Sequence, residues 1–144
     1  MTQKEKDLLL KDLCSRLNTN LVCSIYRADD EGIGYRDEIL HGYCKGDIWY
    51  EFYFREDCSI GIDNVSKIKP YLLPLSSMTE EQKREYNSLK LDLPTYYYEY
   101  GDIVEKIIFY DTPESFNYLI ANHFDYMGLI PMGLAKDATG KHIY

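Results

Sequence analysis

Ile48-Trp49-Tyr50-Glu51-Phe52-Tyr53-Phe54-Arg55 is the stretch on which the reading of the fold turns. Ile48, Tyr50, Phe52 and Phe54 alternate with Trp49, Glu51, Tyr53 and Arg55, which is the period of a strand with one face toward a core. Gly46-Asp47 before it has the chemistry of a hairpin turn. Glu56-Asp57 after it can turn the chain back into residues 58–62, so an antiparallel meander is expected. Upstream, residues 21–27 (LVCSIYR) are rich in β-formers and close on the turn-like Ala28-Asp29-Asp30-Glu31-Gly32. Residues 35–43 read as a further strand.

Helices flank this region. Thr2 and Glu5 have the spacing of a capping box, in which each side chain satisfies the other's free backbone N–H. Leu9, Leu10, Leu13 and Leu17 then make an apolar stripe, with Lys4, Lys11 and Arg16 mostly off it. Asn18-Thr19-Asn20 stops the helix. Beyond the meander, Pro70 and Pro74 bracket Tyr71-Leu72-Leu73, which should be irregular or extended, because proline removes a donor and restricts its predecessor. Ser77 with Glu80 suggests a second capping box opening a polar surface helix over 79–89. Residues 91–100 hold Pro94 and a tyrosine cluster, read as a loop leading into a strand. Residues 103–110 are β-branched enough for a strand, although Asp102 with Glu105 could cap a helix; strand is the reading adopted. Thr112 caps the last helix, with Pro113 in its first turn and Glu114 at the positive end of the dipole. Phe116, Leu119, Ile120 and His123 share its face. The glycine-punctuated apolar tail over 125–135 should pack across the core.

The expected architecture is therefore α+β: an N-terminal helix, an antiparallel β-meander of three to five strands, and C-terminal helices packed on one sheet face. No linker, repeat or low-complexity tract interrupts the 144 residues, which read as a single domain.

Composition narrows the function classes. A formal charge of −8, from 16 basic against 24 acidic residues, disfavours nucleic acid and anionic membranes as partners. No apolar run is long enough to span a bilayer, and the mixed-charge start lacks a secretory signal, so a cytoplasmic protein is expected. Cys14, Cys23, Cys44 and Cys58 form no CxxC pair, so reduced thiols are expected rather than a zinc site. Neither a metal nor a cofactor is expected. Fifteen tyrosines against five phenylalanines and one tryptophan suit half-buried strand faces or a wet protein interface equally.

Two segments carry a resemblance: Lys69-Pro70-Tyr71-Leu72-Leu73-Pro74-Leu75-Ser76-Ser77-Met78-Thr79-Glu80-Glu81, and Asn122-His123-Phe124-Asp125-Tyr126 continuing through Gly128-Leu129-Ile130-Pro131-Met132-Gly133-Leu134-Ala135. Together they resemble a family of small uncharacterised proteins of gut Bacteroidales genomes and their phages and prophages. The match covers the second half of the chain better than the first. The family's tail pattern carries arginine after the tyrosine, where this chain has Met127. The resemblance implies a bacterial or phage-derived, stand-alone domain and no particular activity.

His123, Asp125 and Tyr126 form the densest cluster capable of acid–base chemistry or binding. Residues two apart at a helix end do not face each other by default. A histidine there more often caps the helix carbonyls or packs at the core edge. His41 and Cys44 would point to opposite faces of a strand, and His142 should be solvated. The acidic turn at 29–31, followed by Asp37 and Glu38, lacks the EF-hand spacing. There is no GxxxxGK[ST], GxGxxG or GxSxG. The leading expectation is a non-enzymatic interaction or accessory protein that binds another protein, with homo-oligomerisation through a meander edge compatible. The alternative is a small hydrolase or transferase using His123 and Asp125, with Tyr126 positioning substrate.

Overall fold

The computed structural model describes residues 1–29, 32–45, 50–55, 58–99 and 102–144, and the fold is α+β with an N-terminal helix and antiparallel strands. Although no linker marks a boundary, the chain divides into two compact units. One combines Met1–Ser77 with Ile120–Tyr144, and the other is Met78–Leu119.

The larger unit begins with α1 (Gln3–Ser15). Its capping box forms as the sequence requires: the Glu5 N–H donates to Thr2 Oγ1 at 3.3 Å, and the Thr2 N–H donates to the Glu5 carboxylate at 2.6 Å. Leu9 and Leu13 are fully buried, with Leu10 and Leu17 packed beside them. Arg16 departs from the expected pattern. It is as buried as the leucines, together with Asp12.

β1 (Val22–Asp29) and β2 (Gly32–Ile39) pair in register from Val22↔Ile39 to Asp29↔Gly32. The single strand expected over 35–43 is broken at Leu40 and His41. β3 (Gly42–Lys45), β4 (Tyr50–Arg55) and β5 (Cys58–Gly61) then form a separate three-stranded meander. On β4, Phe52 and Phe54 are fully buried while Glu51 and Tyr53 are only partly so, which is the expected alternation. The turns expected at Gly46-Asp47, Glu56-Asp57 and Asp30-Glu31 lie outside the described residues.

β6 (Ile68–Leu72) and β9 (Lys136–Asp137) extend the first sheet to the order β2-β1-β6-β9. The segment near Pro70 is thus extended. Its proline is tolerated because Cys23, its partner across the ladder, belongs to a pair in which the two backbones do not exchange hydrogen bonds. The Leu40 N–H reaches the Leu21 carbonyl, so Leu21 and, two residues on, Cys23 turn their backbone groups toward β2. The core collects Leu9 and Leu13 from α1, Leu21 beside β1, Cys23 and Ile25 from β1, Phe52 and Phe54 from β4, Ile68 and Leu72 from β6, and Leu129 from the tail.

The smaller unit holds α2 (Glu80–Ser88), the hairpin of β7 (Leu91–Glu99) with β8 (Asp102–Tyr110), and most of α3 (Pro113–Ala121). The capping box of α2 uses Thr79 and Gln82 rather than Ser77 and Glu80: the Gln82 N–H donates to Thr79 Oγ1 at 3.1 Å, and the Thr79 N–H to Gln82 Oε1 at 2.9 Å. Ser77 is occupied elsewhere, donating its hydroxyl to the Pro74 carbonyl. Residues 91–99, read as a loop because of Pro94, are a full strand. Residues 103–110 are strand as expected. The base of the hairpin is fastened by the Tyr86 hydroxyl on Asp111 at 2.6 Å and by the Thr112 hydroxyl on the Leu89 carbonyl at 2.7 Å. On α3, Leu119 is buried but Phe116 is exposed, and Ser115 takes the buried position in its place. Ser115 exchanges hydrogen bonds with Thr112 at the helix start, which satisfies its hydroxyl.

Among the described residues no helix is long and apolar enough to cross a membrane.

Candidate functional site

The tail of the larger unit gathers the histidine cluster around Arg16. The Arg16 guanidinium donates through Nε and Nη2 to both Asp12 oxygens at 2.9 and 3.0 Å. It also donates through Nη1 to the Ile120 carbonyl at 3.2 Å and through Nη2 to the Phe124 carbonyl at 2.7 Å. Ile120 lies in the last turn of α3, where carbonyls lack partners within the helix. Arg16, at the C-cap of α1, therefore joins the His123 N–H in holding a carbonyl of the last turn of α3. Guanidinium suits this role because its planar fork grips a carboxylate on one side and keeps donors for carbonyls on the other. Burial raises the Asp12 carboxyl above its ordinary range, and the hydrogen bonds and charge of Arg16 oppose that shift.

His123 follows the helix end with φ 58°, the left-handed conformation of a helix terminator, and its N–H returns to the Ile120 carbonyl at 3.1 Å. Its ring is 7% exposed and stacks on Tyr144, with centroids 3.8 Å apart and planes 12° apart. Burial, then the nearby Arg16 charge, pushes the imidazole down to about 4, so it is neutral at pH 7. Nδ1 has no hydrogen-bond partner among the described residues. Asp125 is committed elsewhere: its two oxygens accept the Leu129 and Ile130 N–H groups at 2.7 and 2.8 Å, which builds the turn entering the tail. Tyr126 lies with its ring centroid 5.4 Å from the Arg16 guanidinium carbon, and its hydroxyl is 3.2 Å from Ser15 Oγ.

The three residues singled out from the sequence are thus close in the chain but serve different partners. His123 packs on Tyr144, Asp125 ties backbone amides, and Tyr126 lies near Arg16. A histidine base oriented by a carboxylate needs a hydrogen bond between the two, whereas both Asp125 oxygens accept backbone N–H groups and His123 Nδ1 has no partner among the described residues. Chemically, the arrangement terminates a helix and pins the tail.

Besides Arg16, sequence reasoning missed two participants. The first is Tyr144. Its hydroxyl donates to the Tyr71 carbonyl at 2.6 Å and accepts the Val22 N–H at 3.3 Å. Val22 and Tyr71 are the next pair beyond Cys23↔Pro70 in the β1–β6 register, so the hydroxyl completes that rung as a bridging water would. Replacing Tyr144 with phenylalanine keeps the stack and strips both backbone groups of their partner. Urea unfolding should register a loss of about 0.5–1.5 kcal/mol, because solvent reaches the rung; no loss would mean that the strands close the rung directly.

The second is Tyr71, itself buried. Its hydroxyl donates to Asp37 at 3.2 Å and accepts from Lys136 and Lys141 at 3.4 Å each, while Lys136 also reaches Ser24 at 2.7 Å. One donor and two acceptor positions are all a hydroxyl has. The cluster is saturated and anchors the tail to the sheet. No motif signals it, because its members are scattered along the chain.

The remaining candidates stay apart. His41 and His142 are exposed, and the Cys44 side chain lies outside the described residues. Burial raises the thiols of Cys14 and Cys23, which lowers their thiolate character. Among the described residues no group of three His, Cys, Asp or Glu side chains is placed to hold a metal ion.

Compared with protein-family models, curated proteins and solved structures, the chain matches none.

Proposed function

We propose that this is a non-enzymatic interaction or accessory protein of phage or prophage origin, acting in the cytoplasm, that meets another protein through the apolar faces of the β7–β8 hairpin. The observation that carries this reading is the exposure of that hairpin. Tyr96 is 63% exposed, Ile103 65%, Ile107 55% and Phe109 58%, and the register puts Ile103, Ile107 and Phe109 on one face with Pro94 and Tyr96. Leu91, Leu93 and Tyr110 stand exposed on the opposite face. A two-stranded ribbon gains little stability by itself, and contiguous apolar surface of this kind marks interaction sites. The phage or prophage origin rests on the resemblance of residues 69–81 and 122–135. The net charge of −8 supports a protein partner over nucleic acid.

The test is a pull-down from lysate of the source cells, with and without phage infection, using the wild-type chain and an Ile103→Lys/Phe109→Lys double variant. A single protein held near one-to-one by the wild type and released by the double variant is expected. Equal capture by both would remove the hairpin faces from the reading. Capture of nothing by the wild type would overturn the reading itself.

A further inference from the structure

We infer that the free edge of β8 pairs with β8 of a second copy of this chain, joining two hairpins into one four-stranded sheet with the strand order β7-β8-β8-β7. The inference deepens the proposal above and rests on its reading of the hairpin as a contact element: the edge takes the copy, and the faces of the enlarged sheet remain for the foreign partner.

Pro94 has no N–H, yet it lies within the ladder opposite Ile107. That pair cannot exchange hydrogen bonds, so the backbone groups of Pro94 and Ile107 point away from each other, toward the two outer edges. By the period of two, Ile103, Glu105 and Phe109 share the outward direction of Ile107. Among the described residues this hairpin forms a sheet of two strands only, so nothing pairs with the outer edge of β8. That edge runs nine residues, Asp102–Tyr110, without proline. The outer edge of β7 differs, because Pro94 interrupts its row of donors. One edge invites a strand and the other refuses it.

This asymmetry selects the occupant. A ribbon with a single open edge closes on a two-fold partner and then stops, with Pro94 guarding both outer edges of the new sheet. Charge selects the register. With only odd-numbered residues facing outward, the two-fold axis can pass beside Glu105, Lys106 or Ile107 and still overlap most of the strand. The first choice sets Glu105 opposite its own copy, and the second does the same with Lys106; both cost like-charge repulsion. Only the third avoids it. It places Ile107 opposite Ile107 and Phe109 opposite Glu105, so that both isoleucines and both phenylalanines fall on one face.

Each copy carries −8, so bulk repulsion opposes the pairing and salt relieves it. Sedimentation equilibrium of the full chain should therefore show a species of twice the monomer mass, with association strengthening as ionic strength rises. Ile107→Pro removes an outward N–H and no β7 bond, so it should return the chain to monomer with its circular dichroism unchanged. Ile107→Lys, which brings two cations together at the axis, should do the same by a different route. Pro94→Ile opens the second edge and should carry assembly beyond the dimer. A wild-type chain that stays monomeric at every concentration and salt overturns the inference, as does a dimer indifferent to both Ile107 substitutions. If the dimer is absent while the lysate partner is still released by Ile103→Lys/Phe109→Lys, the interaction reading survives alone. A dimer with no lysate partner gives the reverse.

Discussion

Replacing Asp12 with alanine should cost the fold about 3–5 kcal/mol, because it leaves the fully buried Arg16 guanidinium without its counter-charge. Arg16→Ala should cost a comparable amount, since it abandons a buried carboxylate and removes one of the two donors to each of the Ile120 and Phe124 carbonyls. The informative variant is the double one. An ordinary buried ion pair can be exchanged for apolar residues of similar volume at little or no cost. Here Asp12→Leu/Arg16→Met would also remove the guanidinium bonds to the Ile120 and Phe124 carbonyls, which keep only the His123 and Tyr126 N–H groups, at about 0.5–1.5 kcal/mol for each bond lost. Chemical denaturation of the two single variants and the double should therefore find the double still clearly destabilised. A double variant as stable as wild type would show that the His123 and Tyr126 N–H groups are sufficient donors for the carbonyls of residues 120 and 124. Arg16 would then be a simple ion-pair partner and add nothing to the end of α3.

The second large effect is acid sensitivity from His123. In the unfolded chain its imidazole titrates near the ordinary 6.5, and in the folded chain it is held down to about 4. Between those values the unfolded state binds the extra proton, so stability falls as pH falls through this window. The contribution is fully present above pH 6.5 and is lost by about pH 4. The difference of about 2.5 pH units corresponds to roughly 3 kcal/mol. Asp12 works in the opposite direction, because its raised carboxyl is penalised less as pH falls. The test must therefore isolate the histidine. His123→Phe keeps a ring to stack on Tyr144 and cannot titrate. Urea unfolding from pH 7 to pH 4 should show the wild type losing more stability than His123→Phe, the gap opening below pH 6.5. Parallel profiles would mean that the imidazole accepts its proton in place, relieved by water at Nδ1.

Much of the secondary structure was legible because it depends on neighbours a few residues apart. The Thr2–Glu5 capping box, the Phe52/Phe54 alternation, the strand over 103–110 and Pro113 in the first turn of α3 each satisfy a local rule that the structure keeps. Where local rules misled, the reason is a contact made elsewhere. Pro94 reads as a loop residue, and it sits within a strand because its missing N–H faces an edge that no other strand pairs with among the described residues. Ser77 has the spacing of a cap, but its hydroxyl goes back to Pro74 and Thr79 does the capping.

The candidate site was legible only as a location. The sequence pointed to residues 123–126, and they do meet the buried charge of the fold. What each side chain does there depends on Arg16, Ser15 and Tyr144, which lie far away along the chain. Arginine is solvated by default, and no pattern within α1 announces that carbonyls at a distant helix end will take it inward.

The α+β class, the first helix with its cap, and the alternation on β4 follow from local sequence, because hydrogen-bonding needs and side-chain periodicity act over a few residues. The division of the strands into separate sheets, the partners of the Arg16 donors, the rung completed by Tyr144 and the place of Pro94 in the β7–β8 ladder come from the tertiary fold. Those outcomes depend on which unsatisfied groups distant segments bring together.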